Sequence, residues 1–172
     1  MALHLIIDGY NLIRQSPHLS SIELQDFRKG REALLANLAR YKTLKGHPIT
    51  VIFDGWKGGD CKESHDRVNG IRVIYSRLGE TADEVIKRIV RQEGERAVVI
   101  TADSDIASFA LKENAAVIPP HEFEEKMAEA LHCATKDLES EDEDYNSTTK
   151  RKGAARRPSR TQRRCQGKLK KL

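Results

Sequence analysis

LHLIIDGYN, residues 3–11, runs an apolar strand into a carboxylate, Asp8, and follows it with a glycine, an aromatic ring and an amide. The pattern recurs downstream. Residues 49–54 read ITVIFD and residues 97–105 read AVVITADSD, so two further apolar runs also deliver aspartates at their C-terminal ends. In an open parallel α/β sheet those ends line one crevice, which is where ligands bind. Acids gathered there from distant parts of the chain point to a divalent-metal site for phosphate chemistry.

Around these runs the apolar period alternates between strand and helix, which predicts an α/β domain with a parallel sheet covered on both faces. Strands are expected near 3–8, 49–54, 70–75, 97–101 and 115–118. The first crossover reads as long and helical, with Leu24, Phe27, Leu34, Leu35, Leu38, Ala39 and Tyr41 at roughly helical spacing until Gly46 and Pro48 stop it. Residues 55–69, GWKGGDCKESHDRVN, are polar and glycine-rich and read as an irregular crossover and a candidate substrate loop.

The segment GETADEVIKRIV carries a helical apolar stripe of Ala82, Val85, Ile86, Ile89 and Val90. Thr81 and Glu84 fit a capping box, which gives Glu84 a structural task. Asp83 lacks that task. It either favours the helix dipole or projects into the crevice beside Asp8. In TADSDIASFA, Asp103 is a helix cap or a site acid, with Ser104 an alternative cap, and Asp105 serves the helix dipole or holds a metal-bound water.

The 172 residues and 38% hydrophobic content suffice for one domain with a tail. No secretory leader or membrane-length apolar run is read, and three cysteines without CxxC spacing indicate neither a disulfide framework nor a zinc site. A reduced, cytoplasmic protein is expected. The net charge of +4 conceals an asymmetry: residues 1–136 hold 19 basic and 20 acidic groups, residues 137–149 hold six acids, and residues 150–172 hold eleven bases. Residues 137–172 have few large apolar groups and are expected to be a disordered acidic-then-basic tail. That tail is either a solvated solubility segment or an arm drawn to nucleic-acid phosphates.

Several ionised carboxylates in one cleft repel each other, and a cation removes the conflict. Oxygen ligands without His or Cys at ligand spacing favour Mg²⁺ or Mn²⁺ over zinc. Such ions suit hydrolysis of a nucleic-acid backbone. Taken together, DGYN at 8–11, VIFDG at 51–55, VIYSRLGETADEVI at 73–86 and VITADSD at 99–105 resemble, in order, the bacterial YacP-like proteins, members of the NYN group of PIN-like nuclease domains. The resemblance covers roughly residues 3–135 and places the domain at 1–136. It implies a three-layer α/β/α PIN-like fold with a central parallel sheet in the order 3-2-1-4-5, and metal-dependent endoribonuclease activity. By position it implies metal ligands at Asp8, Asp83 and Asp103, a supporting ligand at Asp105, and a catalytic amide at Asn11. Asp54, at the end of a neighbouring strand, is a further candidate, with a turn closing that strand an equal explanation of FDG. A ribosome or structured-RNA partner is a family-level implication.

RNA is held by basic groups on phosphates and by aromatic stacking on bases. Trp56 and Lys57, Tyr10 beside Asp8, and Arg77 are candidates. Packing of Tyr10 on the first helix, cover of the sheet edge by Trp56 and simple solvation of Arg77 are the structural alternatives. A histidine-based ribonuclease needs two histidines across a cleft, and none of the six is required here. DGYNLIR lacks the glycine-rich turn of a dinucleotide-binding fold, and Tyr10 two residues after Asp8 disfavours an aspartyl phosphatase. The rival class is a non-catalytic RNA- or ribosome-binding adaptor on the same fold. A structural module would leave the gathered acids unexplained.

Overall fold

The computed structural model describes residues 3–55, 63–136, 167–168 and 170–171. The first strand, β1 (His4–Asp8), leads into α1 (Gly9–Gln15), α2 (Pro17–Gln25) and α3 (Phe27–Lys45) before β2 (Ile49–Phe53). A hairpin of β3 (Ser64–Val68) and β4 (Ile71–Tyr75) follows, then α4 (Ala82–Glu93), β5 (Ala97–Ile100), α5 (Ser104–Lys112), β6 (Ala116–Ile118) and α6 (Pro120–Lys136). The six-stranded sheet has the order β3-β4-β2-β1-β5-β6. Its five parallel strands stand in the 3-2-1-4-5 order expected, with β1 between β2 (Leu5↔Ile49) and β5 (Leu5↔Val98).

The period of β1 divides two cores. Leu5 and Ile7 pack with Leu12, Leu34, Leu38, Tyr41 and Phe123 from α1, α3 and α6, whereas Ile6 packs with Val85, Ile86, Ile106 and Ala110 from α4 and α5. Burial on both faces is why these strands read as continuous apolar runs. The result is three layers with helices on both sides of the sheet.

Two expectations are corrected. Residues 55–69 are not wholly an irregular crossover, because 64–68 form β3, antiparallel to β4 and exposed along its whole length. Asn69 and Gly70, with φ of 49° and 79°, make the two-residue turn, as an Asn-Gly pair favours. An edge strand with no buried face carries no apolar signal, so SHDRV conceals it. The first crossover is also three helices rather than one. Ser16 ends α1 and caps α2, where its Oγ accepts from the Leu19 N–H, and Asp26 ends α2 and caps α3, accepting from the Arg28 and Lys29 N–H groups. Leu24 therefore lies on α2, 86% exposed, and not on the apolar face of α3. Gly46 closes α3 in the left-handed conformation, with φ 70°.

Candidate active site

β1 turns directly into α1, and Asp8 occupies both elements: it is the last strand residue and the N-cap whose Oδ1 accepts from the Asn11 N–H at 3.2 Å. Gly9 permits the turn, since a Cβ there would lie 2.3 Å from the Phe53 ring. Gly55 has an equivalent reason, as its Cβ would meet the Ser76 carbonyl oxygen at 2.0 Å. The glycines in DGYN and VIFDG thus mark close approaches that hold two strand ends in place.

Asp54, just past β2, accepts the Ala82 N–H at 2.7 Å and so fixes the first residue of α4 beside the sheet. The capping box closes the same helix end: Thr81 Oγ1 accepts from the Glu84 N–H at 3.3 Å and Glu84 Oε2 from the Thr81 N–H at 3.0 Å. Asp83 is left with no hydrogen bond or ion pair to its carboxylate among the described residues. Asp103 caps α5, its Oδ1 accepting from the Asp105 and Ile106 N–H groups at 2.7 and 3.1 Å. Asn11 ties α1 to the loop after β5, its Oδ1 accepting the Ala102 N–H at 3.1 Å.

These acids feel one another. Burial pushes the Asp8 carboxyl up to about 6, opposed by the Asn11 N–H and reinforced by Asp83, Asp54 and Asp103. Asp83 is also raised, first by burial and then by Asp103, with Lys87 opposing. Asp105 behaves differently. Its side chain is 76% exposed and ion-paired with Lys87, which lowers its pKa. Asp105 still adds to the field that raises Asp83, but its own carboxylate is drawn to Lys87 on α4.

Asp8, Asp54, Asp83, Asn11 and Tyr10 line one cleft of about 360 Å³, completed by Arg14, Gln15, Phe27 and Ala82. The donor chemistry, carboxylate oxygen throughout, suits a hard divalent cation. Among the described residues, no three His, Cys, Asp or Glu groups are spaced to hold an ion as they stand. The acids are near enough to raise each other's proton affinity.

A family model for the YacP-like NYN domain matches residues 5–168. The chain belongs to the YacP-like NYN domain family. Within Bacillus subtilis (strain 168), the protein YacP is 34% identical over 89 residues, 51% of each chain. The chain thus spans about half the length of that curated relative. The crystal structure of Rae1 (YacP) from Bacillus subtilis superimposes with a TM-score of 0.66 at 24% identity, covering 81% of this chain and 80% of that one. A mutant form of Rae1 gives 0.67 at 21% identity, over 80% and 82%. At that identity the likeness establishes the fold.

The remaining expected RNA contacts of this NYN domain fall in different places. Tyr10 lines the cleft, but its ring also packs against Phe27 and Phe53, with centroids 5.2 and 5.0 Å away, so the packing alternative holds as well. Arg77 pairs with Glu80 at 3.2 Å and does not line the cleft. Trp56 and Lys57 lie outside the described residues. Arg14, Gln15 and Phe27 went unread as site residues. The four-residue spacing of Tyr10 and Arg14 on one helical face was the available signal. Among the described residues no helix is long and apolar enough to cross a membrane.

Proposed function

We propose that this NYN domain is a Mg²⁺- or Mn²⁺-dependent endoribonuclease that hydrolyses internal RNA phosphodiesters, those of ribosome-bound mRNA among them. The observation that carries the reading is geometric: Asp8 at the end of β1, Asp54 just past β2 and Asp83 at the start of α4 line one cleft, where burial and the neighbouring acids, Asp103 included, push the Asp8 carboxyl up to about 6. Maintaining such a cluster has a folding cost, which a ligand cation would relieve.

Asp8, Asp83 and Asp103 are the residues that would hold the ion, with Asp105 in support after exchanging its Lys87 partner. A bound divalent ion supplies charge stabilisation at the phosphodiester and activation of water for in-line attack. The chain's own groups do the rest. Asp8 gives up its proton near pH 6, Asp54 keeps the start of α4 against the sheet so that Asp83 faces the cleft, and Asn11 locks α1 to the loop bearing Asp103. Tyr10, Trp56, Lys57 and Arg77 are the proposed RNA contacts, and the basic residues of 150–172 other than Lys168, which bonds the Ala97 carbonyl, are proposed to add salt-sensitive affinity.

The test is Asp83→Asn in the full chain, assayed on labelled single-stranded RNA with and without ribosomes. Cleavage is expected to fall by about 100-fold or more, with folding and most RNA affinity retained. Full activity in the variant would contradict the assignment. Equal RNA or ribosome binding by wild type and variant, with no cleavage by either under any metal condition, would favour the adaptor.

A further inference from the structure

The cleft is chemically two-sided. One wall is acidic, from Asp8, Asp54 and Asp83; the other comes from α1 and the start of α3 and carries Arg14, Gln15 and Phe27. We infer that this second wall is a binding subsite for one nucleotide unit of single-stranded RNA, with Arg14 on its phosphate and Phe27 and Gln15 on its base. The inference deepens the nuclease reading and rests on it for the identity of the polymer.

Three observations support it. First, Arg14 is exposed near the end of α1 with its guanidinium 5.7 Å from the Tyr10 ring centroid, and none of the ion pairs among the described residues engages it. A guanidinium steadied on an aromatic face keeps its donor edge for an anion, and its fork matches phosphate oxygens. Second, the Phe27 ring is half-buried and stiffened from within: Tyr10 lies 5.2 Å away and the Arg31 guanidinium 5.3 Å from its centroid. An aromatic ring fixed by such neighbours and lining a cleft offers a base an apolar contact at little ordering cost. Third, Gln15 brings an amide to the same cleft, able both to donate to and accept from a base edge. The volume, about 360 Å³, is at the small end of what holds compact ligands and suits one nucleotide rather than a folded element.

The arrangement also orients the polymer. A strand with one phosphate on Arg14 carries its neighbouring phosphodiester toward Asp8 and Asp83 across the same cleft. The wall therefore acts on substrate placement, and its loss should raise KM more than it lowers kcat.

The experiment measures RNA binding in EDTA by the full chain in an Asp83→Asn background, using adenosine 5′-monophosphate and a short unstructured oligoribonucleotide as probes. Arg14→Ala, Gln15→Ala and Phe27→Leu are compared with Arg40→Ala, an exposed change further along α3. Arg14→Ala and Phe27→Leu are expected to weaken oligoribonucleotide binding by about tenfold, and Gln15→Ala by less, with Arg40→Ala unchanged. Magnetisation transfer between the Phe27 ring and adenine protons should accompany binding and disappear in Phe27→Leu. Arg14 and Gln15 are exposed, so their variants keep the test intact if Phe27→Leu folds poorly. Unchanged affinity in the Arg14 and Gln15 variants, with no transfer to Phe27, overturns the subsite. The two readings fail separately: wild type that never cuts while these variants lose binding defeats the nuclease alone, whereas metal-dependent cutting with unaltered variant binding and KM defeats the subsite alone.

Discussion

The two ends of the sheet treat buried polar groups in opposite ways. At the N-terminal end, His4 is 8% exposed and satisfied on both ring nitrogens, with Thr50 Oγ1 2.8 Å from Nε2 and Glu93 Oε1 3.2 Å from Nδ1. Lys168 approaches the same end, its Nζ donating to the Ala97 carbonyl at 3.2 Å, and the Lys171 carbonyl lies 3.1 Å from His47 Nε2. At the C-terminal end, Asp8 has one backbone donor and a field of other acids, and Lys87, the cation opposing the raised Asp83, is paired with Asp105. The first end is balanced and therefore structural. The second carries charge repulsion that folding alone does not require, which is the imbalance expected of the proposed site.

The largest expected effect is at the unbalanced end. Asp83→Asn should remove cleavage by about 100-fold or more without loss of melting temperature in EDTA, because it deletes a repelling charge. A parallel fall in stability would show that Asp83 is part of the scaffold after all.

Asp8→Asn should stabilise the metal-free protein by up to about 3 kcal/mol at pH 8, the equivalent of roughly two pK units, while its amide oxygen still caps α1. The sign follows from linkage. An unfolded aspartate ionises near the model value of 3.8 and the folded Asp8 near 6, so the native state binds more proton between those values and stability falls as pH rises through that window. The penalty is complete above about pH 6, and the variant's advantage should disappear below about pH 4. Denaturant melts across this range check it; a destabilised variant at pH 8 would reverse the comparison.

The balanced end should respond in the opposite direction. His4→Ala leaves the Thr50 hydroxyl and Glu93 carboxylate without their shared partner and is expected to cost about 1–2 kcal/mol in urea melts, with RNA cleavage per folded molecule unchanged. A loss of activity at constant stability would give that end a functional role. The smallest effect is expected for Lys168→Ala, about 1 kcal/mol or less, read as a shift in the same melts.

The parallel strand order was legible because doubly buried strands are near-continuous apolar runs, and the capping box because Thr81 and Glu84 have defined spacing. The meeting of Asp8, Asp54 and Asp83 was legible for a topological reason: strand ends and the start of α4 share one edge of the sheet. What stayed hidden depends on contacts between elements. SHDRV gives no apolar signal because β3 has no buried face, although Asn69-Gly70 marked its turn. The division of the first crossover rests on Ser16 and Asp26 each ending one helix and capping the next. Asp105 is drawn to Lys87 from another helix, a pairing no local spacing encodes. The Arg14, Gln15 and Phe27 wall exists only because α1 and α3 pack side by side.

The most direct test of the account is a carbon-13 NMR titration of the Asp8 side-chain carboxyl in the full chain, first in EDTA and then in saturating Mg²⁺. The account predicts a midpoint of about 6 without metal, moving well down when Mg²⁺ competes with the proton. A midpoint in the ordinary aspartate range, unmoved by Mg²⁺, would contradict the claim that this end of the sheet is built around a cation.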